Sequence, residues 1–266
     1  MHTSDPIPHF DASAVYSEAA LDYEAAAGDF WTFLTRRTHE LLALSPGDRV
    51  LDVMTGTGPL LPLAATSVGS EGSVLGVDFA PGMLRVAEEK IADLPMVQLA
   101  LADVTELPER DFDAVACVLG LFFVEDMPEF VRSLEARLSE GGRLVVAVFG
   151  EDFYEPLTQV FVDAARAEAP EVPVVQPWRR TATLDALTSV FSAAGAGDVT
   201  IEEEARVLPI EDDGWRRIAH GSGLRRTLDA LGPVRAERVL DRCGDAIRRD
   251  GLHAVRVTAR YAVLTR

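Results

Sequence analysis

Between residues 49 and 149 the chain alternates short apolar runs with segments of helical period, and this alternation restricts the possible fold more than any other feature. Residues 49–53 (RVLDV) read as a strand, and residues 60–68 as a helix ended by Gly69. Residues 73–77 (SVLGV) read as a second strand, and residues 81–92 as a helix with a proline in its first turn. Residues 97–101 and 113–118 are two further strands. Asp126 can cap a helix running to about Leu138, with Phe130, Leu134 and Leu138 on one stripe and Gly141-Gly142 as its stop. Residues 143–149 (RLVVAVF) form an uninterrupted apolar strand, as the middle of a buried parallel sheet requires. Such alternation builds right-handed strand–helix–strand units and a doubly wound sheet. A ligand of such a sheet sits beyond the carboxyl ends of its strands.

The flanks follow different rules. Residues 13–44 are helical, with Tyr16, Ala20 and Tyr23 on one stripe and Leu34, Thr38 and Leu41 on the next. Ser45-Pro46-Gly47-Asp48 ends this helix as a turn. Residues 153–168 and 184–194 read as helices, with an extended proline-rich loop over 170–177. Residues 198–207 and 254–265 alternate like strands, and the helical stretches 212–231 and 234–249 lie between them. The expected fold is therefore α/β, a Rossmann-like, doubly wound, mostly parallel seven-stranded sheet with an antiparallel edge and a helical cap. Residues 1–45 would form an N-terminal cap, 46–150 the ligand-binding core, and 151–266 the rest. In that last part, about 184–207 and 254–265 complete the sheet, and about 151–182 and 211–250 form an inserted lid.

Charge narrows the range of ligands. The 266-residue chain carries a net charge of −18, which repels phosphate backbones and anionic lipid. Its arginine pairs at 179–180, 216–217, 225–226 and 248–249 are short and scattered, and read as solvated faces with carboxylate partners. No nucleic-acid partner is expected. No apolar run reaches the roughly 18 residues of a membrane span, and residues 1–10 lack the pattern of a secretory leader. The two cysteines, Cys117 and Cys243, sit in apolar surroundings and read as buried free thiols of a cytoplasmic protein. No His/Cys/Asp cluster has metal-ligand spacing, so no metal is expected. No Gly-x-Ser-x-Gly elbow is present.

The chemistry is concentrated at the strand ends. In residues 50–61 (VLDVMTGTGPLL) a strand runs into Gly56-Thr57-Gly58 and then a helix. Glycines there allow positive φ and close approach of a ligand, and the helix start offers free N–H groups. Asp78 ends the next strand about 20 residues on, where a carboxylate accepts from both ribose hydroxyls. Dinucleotide binding would want a small residue three positions after Gly58, and Leu61 stands there. Asp52, beside the loop, suits a ligand carrying an ammonium and a sulfonium better than a diphosphate. Asp103 follows the third strand, placed to accept from an adenine amine. Asp52, Asp78 and Asp103 are spaced by 26 and 25 residues, one strand–helix unit each.

These motifs resemble the class I S-adenosylmethionine-dependent methyltransferases, particularly the ubiquinone/menaquinone C-methyltransferase branch and bacterial small-molecule methyltransferases. The resemblance rests on VLDVMTGTG at 50–58, VLGVDFAPGML at 74–84, LADVTELP at 101–108, FDAVACVLGLFFVEDM at 112–127 and LSEGGRLVVAVFG at 138–150. It implies that Gly56 and Gly58 underlie the methionine part of S-adenosylmethionine and that Asp78 binds the ribose. Met83 would pack on the adenine, with Ala102 and Asp103 at its edge, and Leu119 and Gly120 would border the methionine moiety. Thr55, Phe79 and Val104 complete the implied contacts beside Asp52. Tyr16 is similar to an N-terminal tyrosine that closes over the cofactor. Met54 departs from the pattern, standing where many members carry glycine or alanine and where bulk narrows the methionine end.

The implied activity is methylation of a small, apolar, natural-product or quinone-like acceptor by a monomer or homodimer. His220 is the leading candidate for a base, with His39 and Asp126 behind it, and Phe122, Phe123, Trp178 and Trp215 are candidates for the acceptor pocket. A cyclase that binds the cofactor without transferring methyl would carry the same motifs. A nicotinamide-dependent reductase is opposed by Leu61 and by the lack of a Tyr-x-x-x-Lys pattern, since Val86 stands four positions before Lys90.

Overall fold

The computed structural model describes residues 12–108, 110–210 and 214–266. The first eleven residues of the expected cap and residues 211–213 of the expected lid lie outside the described residues. A seven-stranded sheet has the order β3-β2-β1-β4-β5-β7-β6. Its strands are β1 (Arg49–Val53), β2 (Ser73–Asp78), β3 (Val97–Leu101), β4 (Phe112–Val118), β5 (Leu138–Phe149), β6 (Val199–Pro209) and β7 (Ala254–Thr265). β1 to β5 pair in parallel, and β7 runs antiparallel to both β5 and β6.

Period-two alternation explains why both faces of this sheet are covered. Val50, Val74, Ala114, Ala116 and Val145 pack on one face, under α2 (Leu61–Val68), α3 (Pro81–Ile91) and the end of α1 (Ala12–Leu42). Their neighbours Leu51, Val115, Cys117, Leu144 and Val146 face the other way. There they meet α4 (Met127–Glu135), α5 (Leu157–Glu168) and α6 (Leu184–Ala194). Strands apolar on both sides belong in such a three-layer arrangement. The helices α7 (Gly214–Gly221), α8 (Arg225–Leu231) and α9 (Pro233–Asp250) follow β6, with α7 against α1 and α9 against α5.

Two sequence expectations need correction. The fourth helix ends at Glu135, and Leu138 opens β5 opposite Phe112 instead of closing the helix. Gly141-Gly142 lies inside that strand, where the register shifts between Phe112 and Ala114. A Cβ on Gly142 would come within 3.0 Å of the Phe112 carbonyl, so that glycine serves strand approach, while Gly141 takes a positive φ of 79°; neither ends a helix. The single helix expected over 212–231 is two helices broken at Ser222-Gly223-Leu224. The break brings Gly223 against the indole of Trp178, 3.1 Å from where a Cβ would stand.

The scattered arginines have local partners. Arg216 bonds Glu237 and Asp241, both at 3.0 Å, Arg225 bonds Asp22 at 2.9 Å, and Arg248 bonds Asp245 at 2.7 Å. Exposed pairs of this kind contribute about 0–1 kcal/mol each. No helix among the described residues is long and apolar enough to cross a membrane.

Candidate functional site

The site begins where β1 and β2 end side by side. Gly56 and Gly58 have φ of 56° and 70°, the left-handed region in which a side chain is disfavoured. A Cβ on Gly58 would stand 2.8 Å from Leu61 Cδ1 and 3.0 Å from Ala87, so this glycine lets α2 and α3 meet. Nothing lies within 4 Å of a Cβ built on Gly56, which faces open space. The N–H of Gly56 donates to Asp78 Oδ2 at 2.8 Å, and the N–H of Ala80 donates to Asp78 Oδ1 at 2.9 Å. Burial raises the pKa of Asp78, and the N–H groups of Ala80, Gly56 and Phe79 pull it back.

Asp52 is buried beneath the same loop. The Thr55 hydroxyl donates to its Oδ2 at 2.5 Å. Burial pushes the carboxyl up to about 7; the Thr55 bond opposes this and the charge on Asp78 adds to it. A buried acid with one neutral partner is poised to receive a cation.

Three cavities adjoin these groups. The first, about 220 Å³, lies between Asp78, Phe79, Ala102, Asp103 and Val104, with Met54 at one side. The second is a pinched space of about 20 Å³ among Asp52, Met54, Thr55, Gly56, Tyr23 and Thr35. The third is walled by aromatic rings, including Tyr16, Tyr23, Phe122, Phe123, Phe153 and Trp178, with Leu119 at its edge. Phe149 and Phe153 stand 4.1 Å apart, and Phe153 and Trp178 4.4 Å apart, between ring centroids. Arg180 holds the turn after Phe123 by donating to the carbonyls of Val124 at 2.6 Å and Glu125 at 2.9 Å.

Several sequence candidates stand elsewhere. Met83 is buried under α1 with Ala20 and Ala80, outside the linings of these cavities. Gly120 lies beneath the Met54 side chain. Asp103, by contrast, lines the first cavity and also caps the 3-10 turn Val104–Glu106, its Oδ1 accepting from the Thr105 N–H at 2.8 Å and the Thr105 hydroxyl at 2.7 Å. Trp215 packs on Gly244 of α9, with the Arg216 guanidinium 5.1 Å from its ring centre, and does not wall the aromatic cavity. His220 is likewise absent from that wall, although Ile218 and Gly221 of the same helix belong to it. His39 Nε2 hydrogen-bonds Ser67 Oγ at 2.7 Å, joining α1 to α2. Asp126 is the cap of α4, accepting from Glu129 N–H at 2.9 Å.

Other residues at the site carry no motif. Glu24 accepts from the Thr57 hydroxyl at 2.5 Å and pairs with Lys90 at 2.6 Å, tying α1 to the glycine turn and to α3. Arg137 is buried and donates to the carbonyls of Leu107 and Val104, each at 2.7 Å, fixing the loop below the first cavity. Tyr23 and Tyr154 face the aromatic cavity beside Tyr16. Burial raises the pKa of all three phenols, so each stays protonated at neutral pH. Among the described residues walling that cavity there is no Asp, Glu, His or Lys.

Residues 50–142 match a family described as a methyltransferase domain. A ubiquinone/menaquinone biosynthesis C-methyltransferase (UbiE) of Teredinibacter turnerae is 35% identical over 148 residues, 52% of this chain and 59% of that enzyme. A demethylmenaquinone methyltransferase of Listeria welshimeri is 37% identical over 113 residues, 41% of this chain and 48% of that enzyme. Residues 50–142, about a third of the chain, are thus similar to a methyltransferase domain. The chain spans only about half to three fifths of the length of these relatives. The chain shares its fold with YcgJ from Bacillus subtilis (TM-score 0.57, 18% identity, 88% of this chain, 98% of that one). It shares this fold also with a methyltransferase from Thiobacillus denitrificans solved with S-adenosylhomocysteine (TM-score 0.53, 19% identity, 87% and 90% covered).

Proposed function

We propose that the chain is an S-adenosylmethionine-dependent methyltransferase acting on a small, apolar, ring-bearing acceptor of quinol or phenol type. One observation carries the reading. The acidic cleft of Asp52 and Asp78 adjoins an aromatic-walled cavity, and Tyr23 borders both the Asp52 space and that cavity. The donor set fits the cofactor. Asp78 offers carboxylate lone pairs to a ribose, Gly56 leaves open space for its approach, and Asp52 is a buried acid without a cation. Ala102 and Val104 give the first cavity apolar walls for a purine.

When bound, S-adenosylmethionine supplies an electrophilic methyl group on sulfonium sulfur. The protein's part is alignment and exclusion of water, and alignment alone is worth on the order of 7–11 kcal/mol. Tyr16 and Tyr23 on α1 wall the aromatic cavity, Tyr23 also borders the Asp52 space, and Phe122, Phe123 and Trp178 hold the acceptor by ring contact. The protonated tyrosines can donate to an acceptor oxygen and cannot take its proton. An acceptor that ionises readily in water, such as an acidic phenol or an enol, therefore suits this wall. The net charge of −18 favours a small molecule over nucleic acid as acceptor. A cytoplasmic location and a monomeric or homodimeric state belong to the same reading. No observation favours the cyclase or reductase alternatives.

The test is incubation of the purified protein with S-adenosylmethionine and a panel of quinols and phenols, reading S-adenosylhomocysteine and methylated product by mass spectrometry. Release of S-adenosylhomocysteine with none of the panel, despite tight cofactor binding, would overturn the acceptor class. Failure to bind the cofactor would overturn the whole reading.

A further inference from the structure

Met54 occupies an unusual position. Its backbone has φ of 54°, a left-handed conformation that favours glycine. The Thr55 N–H donates to the Val77 carbonyl at 3.0 Å, which pins the chain just after it. The side chain lies over Gly120 so closely that a Cβ there would overlap Met54 Sδ. Met54 is also the residue common to the walls of the first and second cavities. One of these measures about 220 Å³ and the other about 20 Å³. The thioether therefore stands between the space beside Asp78 and the space beside Asp52.

We propose that Met54 is a movable partition that sets cofactor affinity, separating the nucleoside part of the cleft from its amino-acid part. The inference rests on the proposed S-adenosylmethionine site. A ligand with both an adenosine and an aminobutyrate end must connect the two cavities, and the side chain has to turn aside for it. A ligand that stops at the nucleoside fits the larger cavity with Met54 in place. Methionine suits the task, because its unbranched chain has three rotatable bonds and repacks without backbone movement. In its rest position it covers Gly120 and shields the buried Asp52 from water. Met54 thus discriminates between ligands by their length beyond the ribose.

Calorimetric titration with S-adenosylhomocysteine and with adenosine, on the wild type, Met54→Gly and Met54→Ala, tests this. Met54→Gly is expected to tighten S-adenosylhomocysteine about tenfold and to leave adenosine within twofold. Met54→Ala should move the same way by less, and serves if the glycine variant folds poorly. Unchanged or weakened S-adenosylhomocysteine affinity in both variants, or equal changes for both ligands, would overturn the partition while leaving the cofactor site standing. If neither ligand binds the wild type or either variant, the cofactor reading itself falls.

Discussion

Asp78 and Gly56 are joined by a 2.8 Å hydrogen bond in which the carboxylate of one strand end receives the N–H of the neighbouring glycine turn. The same carboxylate receives the Ala80 N–H at 2.9 Å, so one side chain fixes the turn and the start of α3 together. Asp78→Ala leaves both donors without a partner, at a cost of about 1–3 kcal/mol each. Thermal melting should show this loss, and calorimetry should show S-adenosylhomocysteine binding weakened beyond detection. Asp78→Asn keeps one acceptor, so its melting temperature should lie between the two while its affinity stays low.

Asp52 predicts opposite effects on stability and binding. Its carboxyl titrates near 7 when folded, against 3.8 for the free group, so the folded state holds a proton that the unfolded chain has lost between these values. The associated stability is complete below about 4 and is lost as pH rises through 7, on the order of 4 kcal/mol by one unit per 1.4 kcal/mol. Asp52→Asn should therefore raise the melting temperature of the ligand-free protein at pH 8 by several degrees. It should also remove most of the affinity for S-adenosylhomocysteine, whose ammonium would lose its counter-charge.

The same group sets the pH profile of binding. Below about 7, Asp52 is protonated and cannot pair with the ligand's ammonium, so affinity should fall up to tenfold per pH unit. The ligand's ammonium, on a free amino acid, keeps its proton through this range. Calorimetry between pH 5.5 and 9 should therefore show the wild-type affinity rising with pH and levelling off above about 7. In Asp52→Asn the acid limb should vanish.

Gly82 is where α1 crosses α3. A Cβ there would overlap the Ser17 carbonyl and stand 2.5 Å from Ser17 Cα, both backbone atoms that cannot yield without moving the helix. Gly82→Ala should lift the first half of α1, seen as faster amide exchange over residues 16–25. S-adenosylhomocysteine affinity should fall at least tenfold, with little change in exchange over β1 and β4.

Phe123 and Trp178 wall the same cavity but should respond differently. Phe123 is 39% exposed, with its ring 5.5 Å from Tyr16, so its truncation removes only part of a side chain's burial. Phe123→Ala should cost about 1–2 kcal/mol of stability and raise the acceptor KM about tenfold with kcat nearly unchanged. Trp178 is 2% exposed, and Trp178→Ala should cost about 3–5 kcal/mol, visible as a large drop in melting temperature.

What could be read in the sequence was set by local rules. The alternation of Val50 and Leu51, or of Ala114 and Val115, reports two buried faces because side-chain direction along a strand is fixed by covalent geometry. Gly56, Gly58 and Asp78 lie within one strand–helix–strand unit, so their meeting follows from chain order. Leu138 reads as helical because its spacing from Phe130 and Leu134 also fits a helix, while its strand partner Phe112 lies 26 residues away. Asp126 is legible as a helix cap because the apolar stripe begins just after it, whereas Asp103 carries no sign in the sequence that its carboxylate caps a 3-10 turn. Trp215 and His220 were placed by their insertion between strands, and the rotation of α7 decides which of its residues face the cavity. Tyr23, Glu24 and Lys90 carry no site motif in the sequence, because only the crossing of α1 over α3 brings them to the glycine turn.

That crossing helix has a kinetic consequence. Ser13 donates to the Phe79 carbonyl at 2.9 Å and Glu24 pairs with Lys90, while Asp22 of the same helix bonds Arg225 of α8. One roof thus covers two rooms, and its beams rest on the walls of both. For the proposed methyl transfer, such a shared roof predicts that the two reactants bind in a compulsory order and the products leave in reverse. Steady-state inhibition by S-adenosylhomocysteine should then be competitive against one reactant and noncompetitive against the other.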